Sequence, residues 1–584
     1  MNSQHTQTGH TGQEGQTSPL VLSQASGATD KPLIEQTLGD FFRDMALRHP
    51  DRDALVSAHQ GQRFTYSQLH TEVRRLASAL LSLGLDQGDR IGIWSHNNAE
   101  WVMMQFATAQ VGLVLVNINP AYRTAEVEYA LNKVGCKALV TMPSFKSSDY
   151  LGMLRELAPE SATAKAGEFT SARVPTLRSV VWIDVAGEGE EQPGMLRFTE
   201  LLARGNPSDA RIDPIAAGLK NTDAINIQFT SGTTGFPKGA TLTHRNILNN
   251  GFFIGECMRL TPEDRLCIPV PLYHCFGMVL GNLACVTHGA TIVYPSDGFD
   301  PLKVLETVQA EKCTGLHGVP TMFIAELDHP RFAEFDLSTL RTGIMAGSPC
   351  PIEVMKRVVS DMNLSEITIA YGMTETSPVS CQSESDSPLE KRVATVGRVQ
   401  PHLDVKIIHS ETGEVLPIGQ SGELCTRGYS VMRGYWGDDE KTREAIDSDA
   451  FMHTGDLATM DEEGYVNIVG RMKDMVIRGG ENIYPREVEE YLYRHPKVQD
   501  VQVVGVPDLR YGEELCAWVI AKSGERITED EIREFCKGQI AHYKVPRYIR
   551  FVTSFPMTVT GKIQKYLIRD QMKDELGLEE NKTA

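Results

Sequence analysis

Four short apolar runs set the first limit on this chain. "RIGIWS" (Arg90–Ser95), "KALVTM" (Lys137–Met142), "SVVWIDV" (Ser179–Val185) and "ATIVYP" (Ala290–Pro295) are each about one strand long. Continuous apolar runs of that length suit strands covered on both faces. Helical patterns alternate with them, among them "LGDFFRDMALRHP" from Leu38 and the amphipathic "LHTEVRRLASALLSLG" (Leu69–Gly84). Such alternation predicts α/β layers with largely parallel sheets.

With 584 residues, the chain is too long for one ordinary domain. Its texture changes after about Val393, where "VATVGRV", "DVKIIH" and "GELCTRG" read as short strands with glycine turns, a small β subdomain. It changes again after "GYVNIVGRMKD" (Gly464–Asp474). Pro485 then opens a helix in "YPREVEEYLYRHP", "VQVVGV" and "ELCAWVIA" read as strands, and "TEDEIREFCKGQI" as a helix. The expected division is a disordered tail over 1–34, rich in Gln, Ser, Thr and Gly, an N-terminal domain over 35–472 and a small α+β domain over 473–584. The Ala- and Ser-rich stretch Pro143–Arg178 is expected to contain a loose surface loop.

Composition narrows the function. A net charge of −19 argues against a general nucleic-acid binder. The 11 cysteines include no CxxC pair and no HExxH motif occurs, so neither a disulfide framework nor a zinc site is expected. A reducing compartment, the cytoplasm, is the simpler expectation. No apolar run approaches the ~18 residues of a membrane span, and the N-terminal residues lack the basic start and apolar stretch of a signal peptide.

Four stretches carry chemistry. "QFTSGTTGFPKGATLTHRN" (Gln228–Asn246) packs Thr230, Ser231, Thr233 and Thr234 around Gly232 and Gly235, followed by Lys238. Glycines let backbone N–H groups approach phosphate oxygens, and the lysine adds charge. The stretch is not a Walker A loop, since Pro237 and Gly239 flank the lysine. "AINIQF" before it reads as a strand and Thr243 after it as a helix N-cap, so the loop is expected between a strand and a helix. "ITIAYGMTETSPV" offers Tyr371 and Gly372 at a strand end, with Thr374 for phosphate and Glu375 for Mg²⁺. "HTGDLATMDEEGYVNIVGR" offers Asp456 for ribose hydroxyls, with Arg471 in support. "FPMTVTGKIQKYLIRD" places Lys562 after Gly561. Each alone has an ordinary reading, as a flexible loop, a strand-end turn, a turn aspartate or a loop lysine.

In this order, over nearly the whole chain from Leu38, the four stretches resemble the adenylate-forming enzyme superfamily of acyl-CoA synthetases, adenylation domains and luciferases. "VPLYHCFGMV", "AGSPC", "GRMKDMVIRGGENIYPREVEE" and "HYKVPRYIRFV" are similar to fatty acyl-CoA synthetases of the medium-chain, family-member-2 type. The resemblance implies ATP, Mg²⁺, coenzyme A and a carboxylic acid as reactants. It implies Thr230–Lys238 on the phosphates, Gly347, Ser348 and Pro349 beside adenine, and Tyr371 stacked near the base. It makes Lys562 a mobile catalytic lysine and Lys473 a hinge, with the C-terminal domain presenting Gly479 and Gly480 to the pantetheine arm. His274 is expected near the acyl pocket, with a medium- or long-chain fatty acid as substrate. A carrier protein as acyl acceptor is the near alternative, disfavoured because no carrier domain follows before Ala584. A nucleotide sensor and a kinase are more distant rivals. The oligomeric state, a homodimer included, and peripheral membrane association stay open.

Overall fold

The computed structural model describes residues 20–184, 190–230, 237–348, 350–479, 481–558 and 561–578. Two large sheets form the N-terminal domain. In the eight-stranded sheet, Met195–Arg197, Ser179–Trp182, Cys136–Thr141, Arg90–Trp94, Val114–Asn117 and Ala224–Thr230 run parallel in that order. Lys238–Thr243 and then Gly434–Tyr435 follow antiparallel at one edge. In the nine-stranded sheet, six parallel strands from Glu366–Gly372 to Asp53–Ser57 are flanked by antiparallel edges. The four apolar runs all lie in these parallel cores, covered by helices. Helix Ala99–Gln110 is buried at every position but Glu100, which accounts for its lack of a polar face.

Helix starts follow their caps. The helix expected from Leu69 begins at Tyr66, because Thr65 and Gln68 close a capping box one turn earlier. Thr243 caps helix His244–Cys257 as expected. Its Oγ1 accepts from Asn246 N–H at 3.2 Å, and its own N–H donates to Asn246 Oδ1 at 2.8 Å.

Two expectations need correction. The loop after Thr230 does not run from strand to helix. "KGATLT" is itself a strand, paired antiparallel with Ala224–Thr230, so the loop closes a β-hairpin and the capped helix starts six residues later. Its residues Ser231, Gly232, Thr233, Thr234 and Gly235 lie outside the described residues. Within the stretch assigned to the tail, residues 20–34 are ordered. Gln24–Ser26 pairs with Asp404–Lys406, and Ile34 N–H donates to Asn249 Oδ1 at 2.6 Å. Main-chain pairing needs no apolar side chains, so polar composition concealed it. Pro143–Arg178 holds helix Tyr150–Leu157, capped by Asp149, and beyond it the expected irregular, largely surface stretch over 164–178.

A five-stranded antiparallel sheet forms the β subdomain, in the order Gln24–Ser26, Leu403–Ile408, Gly422–Gly428, Met452–Met460, Val466–Arg471. Its last strand ends at Arg471, and the first strand of the C-terminal sheet begins at Val476. Lys473 lies exposed in the turn between them. The C-terminal domain has its own core of Val488, Leu492, Val501, Leu515, Val519 and Ile532. Pro485 opens its first helix.

Thr243→Ala should remove the cap at a cost of about 1 kcal/mol. The amide of Asn246 should then exchange with solvent about fivefold faster, and Thr243→Ser should restore most of the protection. An unchanged exchange rate in Thr243→Ala would show that the cap does not hold this helix end.

Candidate active site

The hairpin and the two neighbouring sheets bring distant residues to one carboxylate. Thr230, the last residue of its strand, donates from Oγ1 to Glu375 Oε1 at 3.0 Å. Tyr435, from the strand paired beside Lys238–Thr243, donates its hydroxyl to the same oxygen at 2.9 Å. Lys238 Nζ sits 4.3 Å from the Tyr435 ring centroid. Glu375 and Thr374 occupy a single helical turn after strand Glu366–Gly372 and are both buried. Among the described residues no donor reaches Glu375 Oε2. One committed and one free oxygen on a buried carboxylate fit a hard cation such as Mg²⁺, which takes one or two carboxylates beside phosphate oxygens.

A second carboxylate faces this group. Asp456 and Arg471 are register partners on adjacent antiparallel strands, with Arg471 Nε 3.3 Å from Asp456 Oδ1. The Tyr371 hydroxyl donates to Asp456 Oδ2 at 2.6 Å. Burial pushes the Asp456 carboxyl upward, while Arg471 and the Tyr371 hydrogen bond hold it down. Gly372 leaves no room for a side chain, since a Cβ there would stand 1.7 Å from the Pro378 carbonyl.

Beneath the Asp456 turn, Glu423 accepts from Gly455 N–H at 3.1 Å and from His453 Nδ1 at 3.0 Å. Contact with Cys425 and Glu423 raises the His453 imidazole to about 10. Glu423, Cys425 and His453 bring three donor atoms within 4.8 Å of one another.

Lys562 enters from the C-terminal domain directly after Gly561 and pairs with Thr558. Gly561 N–H donates to the Thr558 carbonyl at 3.0 Å, and Thr558 N–H to the Lys562 carbonyl at 2.8 Å. Two glycines with positive φ lie beside it. Gly561 has φ +76° and packs on Val319, while Thr321 Oγ1 donates to its carbonyl at 3.3 Å. Gly347 has φ +92°, and a Cβ there would lie 3.6 Å from Lys562 Cε. Burial and the neighbouring Arg471 lower Lys562 to about 8, against the pull of Asp456 and Glu375. The amine is therefore charged at neutral pH but loses its proton at mildly alkaline pH.

His274 lies against the same lysine, and burial pushes its imidazole down to about 3. Its Nδ1 accepts from Phe276 N–H at 3.1 Å, so the neutral ring carries its proton on Nε2. Phe276 and Val319 approach Gly347 from this side.

Thus Thr230, Lys238, His274, Gly347, Tyr371, Thr374, Glu375, Asp456, Arg471 and Lys562 gather at the facing ends of the sheets, with Ser348 following Gly347. Gly479 does not join them. It is exposed, and its N–H donates to the Tyr511 carbonyl at 2.7 Å. Pro349 and Gly480 lie outside the described residues. Sequence reasoning missed Tyr435 and the Glu423–His453 strut. The aromatic of "GYW" beside a glycine was the one available signal for Tyr435.

The chain is similar to known proteins over most of its length. Residues 42–436 match the AMP-binding enzyme family, and 487–562 match the AMP-binding enzyme C-terminal domain. YngI of Bacillus subtilis (strain 168), whose name assigns it provisionally to the acyl-CoA synthetases, is 50% identical over 541 residues, covering 92% of this chain and 97% of that protein. The human mitochondrial medium-chain acyl-CoA ligase ACSF2 is 47% identical over 564 residues, covering 95% of this chain and 91% of that protein. The crystal structure of the anthranilate CoA ligase AuaEII in complex with anthranoyl-AMP superimposes with a TM-score of 0.83 at 27% identity, covering 94% of this chain and 99% of that one.

After reductive methylation with a ¹³C label, one dimethyl-lysine signal should titrate near pH 8 and vanish in Lys562→Arg. Titration of the Lys562 signal at pH 10 or above would contradict the buried, cation-flanked setting described for it.

Proposed function

The chain belongs to the AMP-binding enzyme family, and we propose that it joins a fatty acid, medium-chain for preference, to coenzyme A, with Lys562 driving the first of two steps. It is an AMP-forming acid–thiol ligase that works through an acyl-adenylate. The observation that carries the residue assignment is the convergence of Lys562 with Glu375 and Asp456.

In the first step a carboxylate oxygen of the acid attacks the α-phosphorus of ATP. The P–O bond to pyrophosphate breaks, leaving acyl-AMP. Two anions must meet, so positive charge is needed where the transition state gathers negative charge. The Lys562 ammonium would bridge the carboxylate and the α-phosphate, and these anions would raise its proton affinity above that of the empty site. Thr230 and Lys238 would hold phosphate oxygens from the hairpin, with Thr374 across from them. Tyr435 and Thr230 would fix Glu375 so that Oε2 faces outward; Mg²⁺ held there would neutralise phosphate charge. Asp456 would accept the ribose hydroxyls, oriented by Arg471 and by Tyr371, whose ring face would meet the base beside Gly347 and Ser348.

In the second step the thiolate sulfur of coenzyme A attacks the acyl carbon. The C–O bond to AMP breaks, giving the thioester. Lys562 has no part in that step, and its domain would turn about Lys473 to bring other residues in, Gly479 among them. Neutral His274 would offer an N–H to the acid without competing for its charge, next to the apolar Phe276 and Val319. The medium-chain preference rests on the name of the human relative and on this apolar flank. Loading of a carrier protein is not favoured, since the relatives matched over nine-tenths of their length carry names of acyl-CoA ligases. No helix among the described residues is long and apolar enough to cross a membrane. We place the enzyme in the cytoplasm, where its eleven unbridged cysteines would stay reduced.

Incubation with ATP, Mg²⁺, coenzyme A and a graded series of acids should yield AMP and acyl-CoA together, with the best turnover on medium chains. Accumulation of ADP would overturn the reaction class. Lys562→Ala should lower acyl-AMP formation on the order of a hundredfold or more. It should still convert supplied acyl-AMP to thioester, and equal loss in both half-reactions would remove Lys562 from its role.

A further inference from the structure

Helix Pro485–Leu492 carries the C-terminal domain's grip on the rest of the molecule. Arg486 and Glu490 stand one turn apart on it and face each other at 3.7 Å. Each also reaches main chain in the N-terminal domain. Arg486 Nη1 donates to the carbonyl of Ile468, in strand Val466–Arg471. Glu490 Oε2 accepts from the N–H of Ile352 at 3.5 Å. Ile352 is the first residue of helix Ile352–Asp361, and the residue before it, Pro351, supplies no side-chain cap. The first N–H groups of a helix need acceptors and carry partial positive charge. Here a carboxylate from the other domain meets one of them. Both side chains are mostly withdrawn from solvent, 13% and 21% exposed.

The clamped segments are those that Lys562 must fit between. Helix Ile352–Asp361 follows directly on the Gly347–Cys350 loop that the lysine passes. Strand Val466–Arg471 ends in the arginine that pairs with Asp456. Neither Arg486 nor Glu490 reaches the Lys562 cluster, so both act through the placement of other groups. Nearby, Gln499 Nε2 donates to Asp328 Oδ2 at 3.0 Å across the same boundary.

We propose that Arg486 and Glu490 form a clamp that holds the C-terminal domain in the orientation that inserts Lys562, with Glu490 capping helix Ile352–Asp361 from the opposite domain. The clamp rests on the reading that Lys562 serves the first half-reaction only. Both contacts must break when the domain turns for thioester formation, so their strength sets the balance between the two orientations. Removing one weakens the adenylating orientation and leaves the chemical groups in place.

Glu490→Ala and Arg486→Ala, each assayed in the separate half-reactions beside the wild type, test this. Acyl-AMP formation at saturating ATP should fall about threefold, the effect of losing one cap of about 1 kcal/mol from a balanced two-state equilibrium. The KM for ATP should stay within about twofold, because every proposed nucleotide contact except that of Lys562 belongs to the other domain. Conversion of supplied acyl-AMP to thioester should hold at the wild-type rate or rise. Glu490→Gln, which keeps an acceptor oxygen without the charge, should fall between wild type and Glu490→Ala. Equal loss in both half-reactions means a structural role, and no change in either means an idle contact; both overturn the clamp. A Lys562→Ala enzyme that fails in both half-reactions would instead remove the reading beneath it.

Discussion

The ammonium of Lys562 is drawn out of water into a space it shares with Asp456, Glu375 and Arg471, and the rest of the site is arranged around that fact. Burial disfavours the charged amine, and Arg471 disfavours it further; the two carboxylates offset enough of this to keep it charged at neutral pH. Those carboxylates are themselves held by other elements. Thr230 and Tyr435 fix Glu375 from two strands of the eight-stranded sheet, whereas Tyr371 and Arg471 fix Asp456 from the nine-stranded sheet and the β subdomain. One cation thus makes the position of three sheets in the N-terminal domain matter to a loop in the C-terminal domain. A polyphosphate entering this space would bring the negative charge that the lysine lacks.

The parallel cores were legible in the sequence because strands covered on both faces leave continuous apolar runs. The caps were legible too, since Thr243 and Asn246 stand at the spacing the hydrogen bonds need. The phosphate-loop hairpin was not, although the Thr243 cap after it was right. "KGATLT" is six residues, four of them small or β-branched, lying between two stronger signals, a glycine-rich loop and a helix start. The N-terminal strand was hidden for a different reason. Gln24–Ser26 is held by main-chain bonds at the edge of a sheet, where side-chain composition carries little information. Asp456 and Arg471 were read from the sequence as acting on one sugar, but their direct contact was not legible there. Only the register of the hairpin between them makes them neighbours. Tyr435 was out of reach because its partner Glu375 lies 60 residues away in another sheet.

The division of labour between the domains follows from the chemistry. Activation of a carboxylate needs a cation among anions. Thiol attack needs an open path to the acyl carbon, and a lysine filling the site would obstruct it. A domain tied to the rest of the chain by the exposed turn after Arg471, and docked through main-chain contacts from a few side chains, can meet both needs in turn. Docking through Arg486, Glu490 and Gln499 is polar, as would suit an interface that opens in the proposed cycle.

A reversible cross-link between the domains tests this most directly. The side chains of Asp328 and Gln499 meet at 3.0 Å in the described orientation; cysteines there are too short to bond each other directly, so Asp328→Cys and Gln499→Cys are joined through a short bis-methanethiosulfonate spacer, whose mixed disulfides a reductant cleaves. The cross-linked protein should form acyl-AMP at close to the rate of its reduced form and make no thioester until a reductant is added. Thioester formation at full rate in the cross-linked protein, or loss of acyl-AMP formation on cross-linking with recovery on reduction, would contradict the assignment of this orientation to the first step alone.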